Sequence, residues 1–214
     1  MAVARDAEHF IEHRRKSLAA SRPRDAPVNL ALERKHMLIA LRQIPVADLQ
    51  ALAISGEPTF VARTAIAGAL PPGFVAKRAI EHLAQGKAEL WCNTFYIVRV
   101  ADNCIVGSCG FKDSPTNGRV EIGYGVSASC RGQGVATAAV SELLHLAFAS
   151  GQATEVLAEV SPENLPSTRV VQRLRFENLG ESINTEGELV VQWLARMRPD
   201  SSSGVVTLLL SRTV

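Results

Sequence analysis

The segment CRGQGVATAAV, residues 130–140, places two glycines and an arginine directly before a run with helical apolar spacing. The first backbone N–H groups of a helix have no internal partners, and the helix dipole adds partial positive charge, so anions and phosphates collect at such ends. Gly132 and Gly134 remove side chains that would block a close approach, Ala136 keeps the next helical position small, and Arg131 adds a cation. RGQGVA therefore has the parts of a pyrophosphate cradle. It matches neither the GxGxxG fingerprint nor a Walker lysine motif. Spacing alone leaves a second reading open, in which the glycines only turn a strand into a helix.

A second group of residues precedes the cradle. In RVEIGYGV, residues 119–126, Val120, Ile122, Tyr124 and Val126 share one strand parity and read as core, whereas Glu121, Gly123 and Gly125 share the other. Two glycines beside a carboxylate leave room for a ligand on that face. The carboxylate could take a proton directly or through a water. A structural reading pairs Glu121 with Arg99 or Arg119 instead. Cys130 lies close to the cradle, but no oriented base accompanies it locally, and it reads as non-catalytic. His145, set among leucines, reads as packing or surface.

The elements that must hold these residues follow from periodicity. HMLIALR at 36–42 reads as a strand, and IPVADLQALAIS as a turn and a helix ended by Gly56. Thr59 to Leu70 is Ala-rich and ambiguous. LPPG at 70–73 is a turn. FVAKRAIEHLAQG reads as a helix with Phe74, Val75, Ile80 and Leu83 as its apolar positions and Gly86 as its stop. LWCNTFYIVRV and CIVGSCGFK read as strands about a tight ADN turn, SPTNG as another turn, and RVEIGYGVS as a third strand. A helix from about Gly134 to Ser150 carries the stripe Val135, Ala139, Leu143, Ala147. ATEVLAEV reads as a strand, SPENLPSTRVVQRLRF as a loop and short helix, and ENLGESINTEGELVVQWLAR as two strands about Glu186–Gly187. A meander feeding a βα unit predicts an α+β, or mixed α/β, domain with a central, partly antiparallel sheet flanked by helices.

The 214 residues suit one domain with an extra arm. Residues 1–27 read as a basic N-terminal arm, 28–198 as the domain, and 199–214 as a tail or final strand. GVVTLLL near the end reads as a last strand or a homodimer contact. The net charge of +2 argues against a dedicated nucleic-acid binder. No apolar run approaches the ~20 residues that cross a membrane, and no secretory signal opens the chain. Cys92, Cys104, Cys109 and Cys130 match no zinc or CxxC spacing and read as reduced, buried thiols of a cytoplasmic protein. His9 and His13 could share a helix face, but their segment is charged and solvated, and no metal site is assigned.

The chain resembles the GCN5-related N-acetyltransferase (GNAT) superfamily over roughly residues 36–196. Arg131, Gly134 and Ala136 match its acyl-CoA signature, and Asn164, Ser167 and Phe176 match its second landmark. The strand VEIGYGV and the opening LIALRQIPVADLQALA match as well. The resemblance is closest to the branch that acetylates ribosomal-protein N-termini, with its small-amine relatives. Two positions depart from the pattern. Val171 stands where the superfamily often has a tyrosine acid, and Arg175 stands where a glycine precedes the phenylalanine.

The resemblance implies a V-shaped opening between the strand ending near Val126 and TEVLAEV. Pantetheine would pair with backbone groups around Val126, Ser127 and Ala128. The pyrophosphate of acetyl-CoA would lie over the amides of Arg131, Gly132, Gln133, Gly134, Val135 and Ala136, and Asn164 would bond to the pantetheine arm. An amine, either a protein N-terminus or a small molecule, would attack the thioester in a ternary complex. A lysine-like amine is about 1 in 1000 free base at pH 7.4, and an α-amine about 1 in 3 to 1 in 5. Glu121 is the candidate base. Ser167 is the candidate donor to the leaving thiolate, unless it caps the short helix; Tyr124 is a weaker donor because its parity points to core. Glu57 to Leu90 would line the acceptor side, with only Glu57, Glu81 and Glu89 as acids. Two other readings stay open: a non-catalytic acyl-CoA-binding module, and a protein that binds RNA or the ribosome through its basic arm.

Overall fold

The computed structural model describes residues 38–58 and 64–197. The arm at 1–27, its two histidines, residues 59–63 and the GVVTLLL segment lie outside them. The elements in chain order are β1 (Ile39–Gln43), α1 (Val46–Ser55), α2 (Gly73–Ala84), α3 (Glu89–Cys92), β2 (Thr94–Arg99), β3 (Cys104–Phe111) and β4 (Arg119–Val126), then α4 (Val135–Ala149), β5 (Glu155–Val160), α5 (Leu165–Arg173), β6 (Glu177–Ile183) and β7 (Leu189–Arg196). The seven strands form one sheet in the order β1-β2-β3-β4-β5-β7-β6. Every neighbouring pair is antiparallel except β4 and β5. This is the mixed, partly antiparallel architecture expected.

Strand parity decides which face each helix covers. Val120 and Ile122 of β4, Val156, Ala158 and Val160 of β5, and Phe95 and Ile97 of β2 form one core with the α4 stripe Val135, Ala139, Leu143 and Ala147. Leu143 is wholly buried, and burial of such a side chain contributes about 1.5–3 kcal/mol. Val171 of α5 and Phe176 join the same core. On the opposite face, Tyr96 and Val98 of β2 pack with Leu49 and Leu52 of α1 and Ala76 and Ala79 of α2. Helices therefore cover both faces.

Three local expectations are corrected. Trp91 and Cys92 belong to the short helix α3 rather than to the strand that follows. Phe74 is 66% exposed, and the buried residues of α2 are Ala76 and Ala79. The reason is the close approach of α2 to α1: a Cβ on Gly73 would lie 3.2 Å from the Leu52 carbonyl oxygen, so small residues occupy that contact and Phe74 turns outward. All four cysteines are free thiols, but Cys104 is only half-buried.

Candidate active site

β4 and β5 pair from Arg119↔Glu155 to Ile122↔Ala158 and no further. β4 nevertheless runs on against β3 to Val126↔Gly107, and β5 runs on against β7 to Val160↔Val191. The two parallel strands therefore part beyond Ile122. The Glu121 carbonyl accepts the Lys112 N–H at 2.8 Å, and the Ser127 N–H donates to the Val106 carbonyl at 3.0 Å, both towards β3. Strand alternation then turns the backbone groups of Tyr124 and Val126 towards the gap. The Val126 carbonyl already accepts from Arg131 Nε at 3.3 Å.

The chain leaves β4 through a 3-10 turn, Ala128–Cys130, and enters α4 at Gly134. Gly132 and Gly134 have φ values of 75° and 84°, a left-handed backbone that side chains resist. The turn thus needs its glycines, and they leave the start of α4 open. The glycines make the turn, and the turn bares a helix end, so the two readings of RGQGVA do not exclude each other. Ser127 lies beneath it, with Oγ donating to the Ala67 carbonyl at 2.7 Å and its own carbonyl accepting the Cys130 N–H at 2.9 Å. Gln133 Nε2 donates back to the Ser129 carbonyl at 3.0 Å.

A cleft of about 820 Å³ joins these parts. Its walls include Tyr124, Gly125, Val126, Arg131, Gly132, Gly134, Val135 and Ala136 on one side and Asn164, Ser167, Arg169 and Arg173 on the other. Of the expected cofactor residues, Ser127, Ala128 and Gln133 are not in these walls. Three guanidiniums, Arg131, Arg169 and Arg173, share the cleft with a single acid, Glu163. An exposed helix end contributes about 0.3–1 kcal/mol per facing charge, whereas a hydrogen bond to a charged group contributes about 1.5–3 kcal/mol. The arginines would therefore dominate the attraction for a polyanion, and the helix end would orient it. Cys130 also lines the cleft, almost wholly buried, with Arg99 Nη1 at 3.9 Å from its sulfur.

Asn164 is the N-cap of α5: its Oδ1 accepts the Ser167 N–H at 3.2 Å. The capping role considered for Ser167 thus belongs to Asn164, three residues earlier, and Ser167 is among the residues of the cleft wall. Tyr124 packs against the core as its parity suggested, but it is only half-buried. The sheet opens at this point, so the ring lines the cleft, and its hydroxyl donates to the Ser167 carbonyl at 3.4 Å. Burial raises the Tyr124 pKa, against a smaller lowering by the Ser167 side chain, so the hydroxyl keeps its proton at neutral pH.

Glu121 lies on the other face of β4, and its partner is neither Arg99 nor Arg119. Arg99 is held by Asp102 at 2.6 Å and Arg119 by Glu155 at 2.7 Å. Lys112 forms an ion pair with Glu121 Oε1 and lies 4.0 Å from Glu159 Oε2. Gln192 Nε2 donates to Glu159 Oε1 at 3.1 Å. Burial raises the Glu121 pKa; Lys112 and, more weakly, Arg78 oppose that shift, and the charge of Glu159 adds to it. A Cβ built on Gly123 or Gly125 would meet nothing within 4 Å, so the strand beside Glu121 is open on this face. The structure brings Ser167 and the cradle to one cleft and sets Glu121 on the strand that borders it.

Sequence reading missed Lys112, Glu159, Arg169 and Arg173. Glu159 could have been found, because it sits on β5 opposite in parity to Val156, Ala158 and Val160, as Glu121 does on β4. Arg169 and Arg173 are four apart, the spacing of neighbours on one helix face. Among the described residues no group of three or more His, Cys, Asp or Glu side chains could hold a metal ion.

The family model described as an acetyltransferase (GNAT) domain matches residues 39–177. The uncharacterized N-acetyltransferase p20 of Bacillus licheniformis is 33% identical over 106 residues, 49% of this chain and 60% of that protein. The chain matches 60% and 51% of the length of its first two curated relatives. The fold recurs in a ribosomal-protein-S5-alanine acetyltransferase from Vibrio fischeri, with a TM-score of 0.54, 17% identity and coverage of 74% of this chain and 92% of that one. It recurs also in RimJ of Mycobacterium smegmatis in complex with CoA-disulfide, with a TM-score of 0.51, 19% identity and coverage of 74% and 81%.

Proposed function

The chain belongs to the GNAT acetyltransferase family, and from that premise we propose that it moves the acetyl group of acetyl-CoA to a primary amine by direct attack in a ternary complex. The observation that carries this reading is the parting of β4 and β5 beyond Ile122↔Ala158, beside a glycine turn that bares the start of α4. The thioester arm enters the gap and pairs with backbone groups of Tyr124 and Val126. The pyrophosphate lies at Gly132 to Ala136 with Arg131, and Arg169 and Arg173 supply further positive charge. Asn164 faces the pantetheine arm from the end of α5.

The acceptor enters on the face of Glu121, Gly123 and Gly125. Its ammonium gives a proton to Glu121, directly or through a water. The freed nitrogen attacks the thioester carbon, the C–S bond breaks, and the CoA thiolate leaves, taking up the second proton that the nitrogen loses as the amide forms. A thiolate with a pKa of about 8.5 needs only a weak donor, which Ser167 supplies with the Tyr124 hydroxyl beside it. Holding both reactants in line supplies much of the acceleration. An α-amine needs little deprotonation, which supports a peptide N-terminus over a polyamine.

Release of CoA thiol from acetyl-CoA tests this reading. The acceptors are peptides beginning with Ala or Ser, an N-blocked lysine peptide, spermidine and an aminoglycoside. Transfer to an N-terminal amine is the expected result. A folded protein that binds acetyl-CoA and transfers to none of them is a binding module.

A further inference from the structure

Lys112 and Glu121 are joined twice. The Lys112 N–H donates to the Glu121 carbonyl at 2.8 Å, and the Lys112 ammonium forms an ion pair with the Glu121 carboxylate. The backbone bond fixes the register of the side-chain pair, because Lys112 directly follows the last residue of β3, where Phe111 pairs with Ile122. A second carboxylate, Glu159 of β5, lies 4.0 Å from the same ammonium and is itself held by Gln192 of β7. The side chains of Glu121 and Glu159 are 26% and 13% exposed, so neither carboxylate is fully screened by water. Two half-buried acids thus share one lysine on the face that Gly123 and Gly125 leave open.

We propose that Lys112 is a positioning residue for acetyl transfer: held between Glu121 and Glu159, it keeps Glu121 ionised and fixed beside the open face, ready to take the acceptor's proton. This rests on the reading of Glu121 as the base. The charged groups that act on Glu121 come from three packed elements: Lys112 after β3, Glu159 on β5 and Arg78 on α2. Burial and Glu159 favour the protonated acid, and Lys112 and Arg78 favour the carboxylate. Without Lys112, Glu121 would face Glu159 with only the more weakly acting Arg78 in support. Like charges that share a site cannot both stay ionised cheaply. Glu121 would then hold its proton to higher pH and could not accept another. Without the charge of Glu159 the balance tips the other way.

The test is a ¹³C NMR titration of the full chain carrying glutamate labelled at the side-chain carboxyl, with Glu121 assigned through Glu121→Gln. Circular dichroism melts show which variants fold. Lys112→Met is expected to move the Glu121 midpoint to higher pH, Glu159→Gln to move it to lower pH, and Lys112→Arg to leave it near the parent value. Shifts of one sign in the first two variants, or no shift in either, would overturn the proposal. If Lys112→Met does not fold, Glu159→Gln decides alone, and an unmoved or raised midpoint overturns it. The readout needs no acceptor, so its failure is distinct from a failure of acetyl transfer.

Discussion

Ile122 and Ala158 are the last residues at which β4 and β5 pair; beyond them each strand continues against its other neighbour alone. A sheet edge in the middle of a sheet is costly unless something uses its free backbone groups. An extended acyl arm with amides would do so. The glycines that follow on β4 make a direct test.

Gly125→Val adds a side chain where nothing lies within 4 Å. Valine favours strands over glycine by about 1 kcal/mol or less, so the thermal midpoint is expected to hold or rise. Acetyl transfer is expected to fall because the new methyls occupy the open face. A thermal melt and a thiol-release assay on the same sample separate the two effects.

Asn164 caps α5 through the Ser167 N–H. Asn164→Ala is expected to lower stability by about 1 kcal/mol, whereas Asn164→Asp keeps the acceptor oxygen and most of that stability. Urea denaturation of both variants measures the difference.

Arg175 has a φ of 61°, a left-handed conformation that costs a side-chain-bearing residue about 1–2 kcal/mol. Arg175→Gly removes that cost and gives part of it back through a freer unfolded chain. The expected net gain is about 1 kcal/mol or less, a rise of roughly 2–4 °C at most for a chain of this size. Differential scanning calorimetry reads it.

Glu121 has a raised pKa, chiefly through burial. A raised carboxyl pKa makes the folded state bind its proton more tightly, so its contribution to stability is present below the ordinary glutamate value and lost as pH rises through the folded value. The catalytic consequence has the opposite sense, because only the carboxylate accepts a proton. The acidic limb of kcat/KM is expected above the ordinary glutamate range. Glu121→Gln is expected to abolish that limb and to lower the rate by about 10²–10⁴-fold. A pH–rate profile of both proteins checks this.

Periodicity made most of the architecture legible. The alternation of Val120 and Ile122 against Glu121, and the stripe Val135, Ala139, Leu143, Ala147, both survive in the structure because one buried face leaves each element a single orientation. The glycine turn was legible because few other residues take its backbone angles. Lys112 was not, because its approach to Glu121 depends on the register of β3 and β4, which no local spacing encodes. Tyr124 shares the core parity of its strand and packs against the core, but its place in the cleft wall was not legible, because parity does not say where the sheet opens. The helical turn holding Trp91 and Cys92 was not legible, because a short apolar run carries no period of its own.

The most direct measurement is a calorimetric titration of the full chain with acetyl-CoA, alongside Ala136→Glu. A glutamate in the first turn of α4 favours the helix by about 0.3–1 kcal/mol, yet it sets a negative charge where the pyrophosphate would lie. The parent is expected to bind in the micromolar range, and the variant to keep its thermal midpoint and lose binding. A folded parent that does not bind acetyl-CoA, or a variant that binds as well as the parent, would contradict the placement of the cofactor at the start of α4.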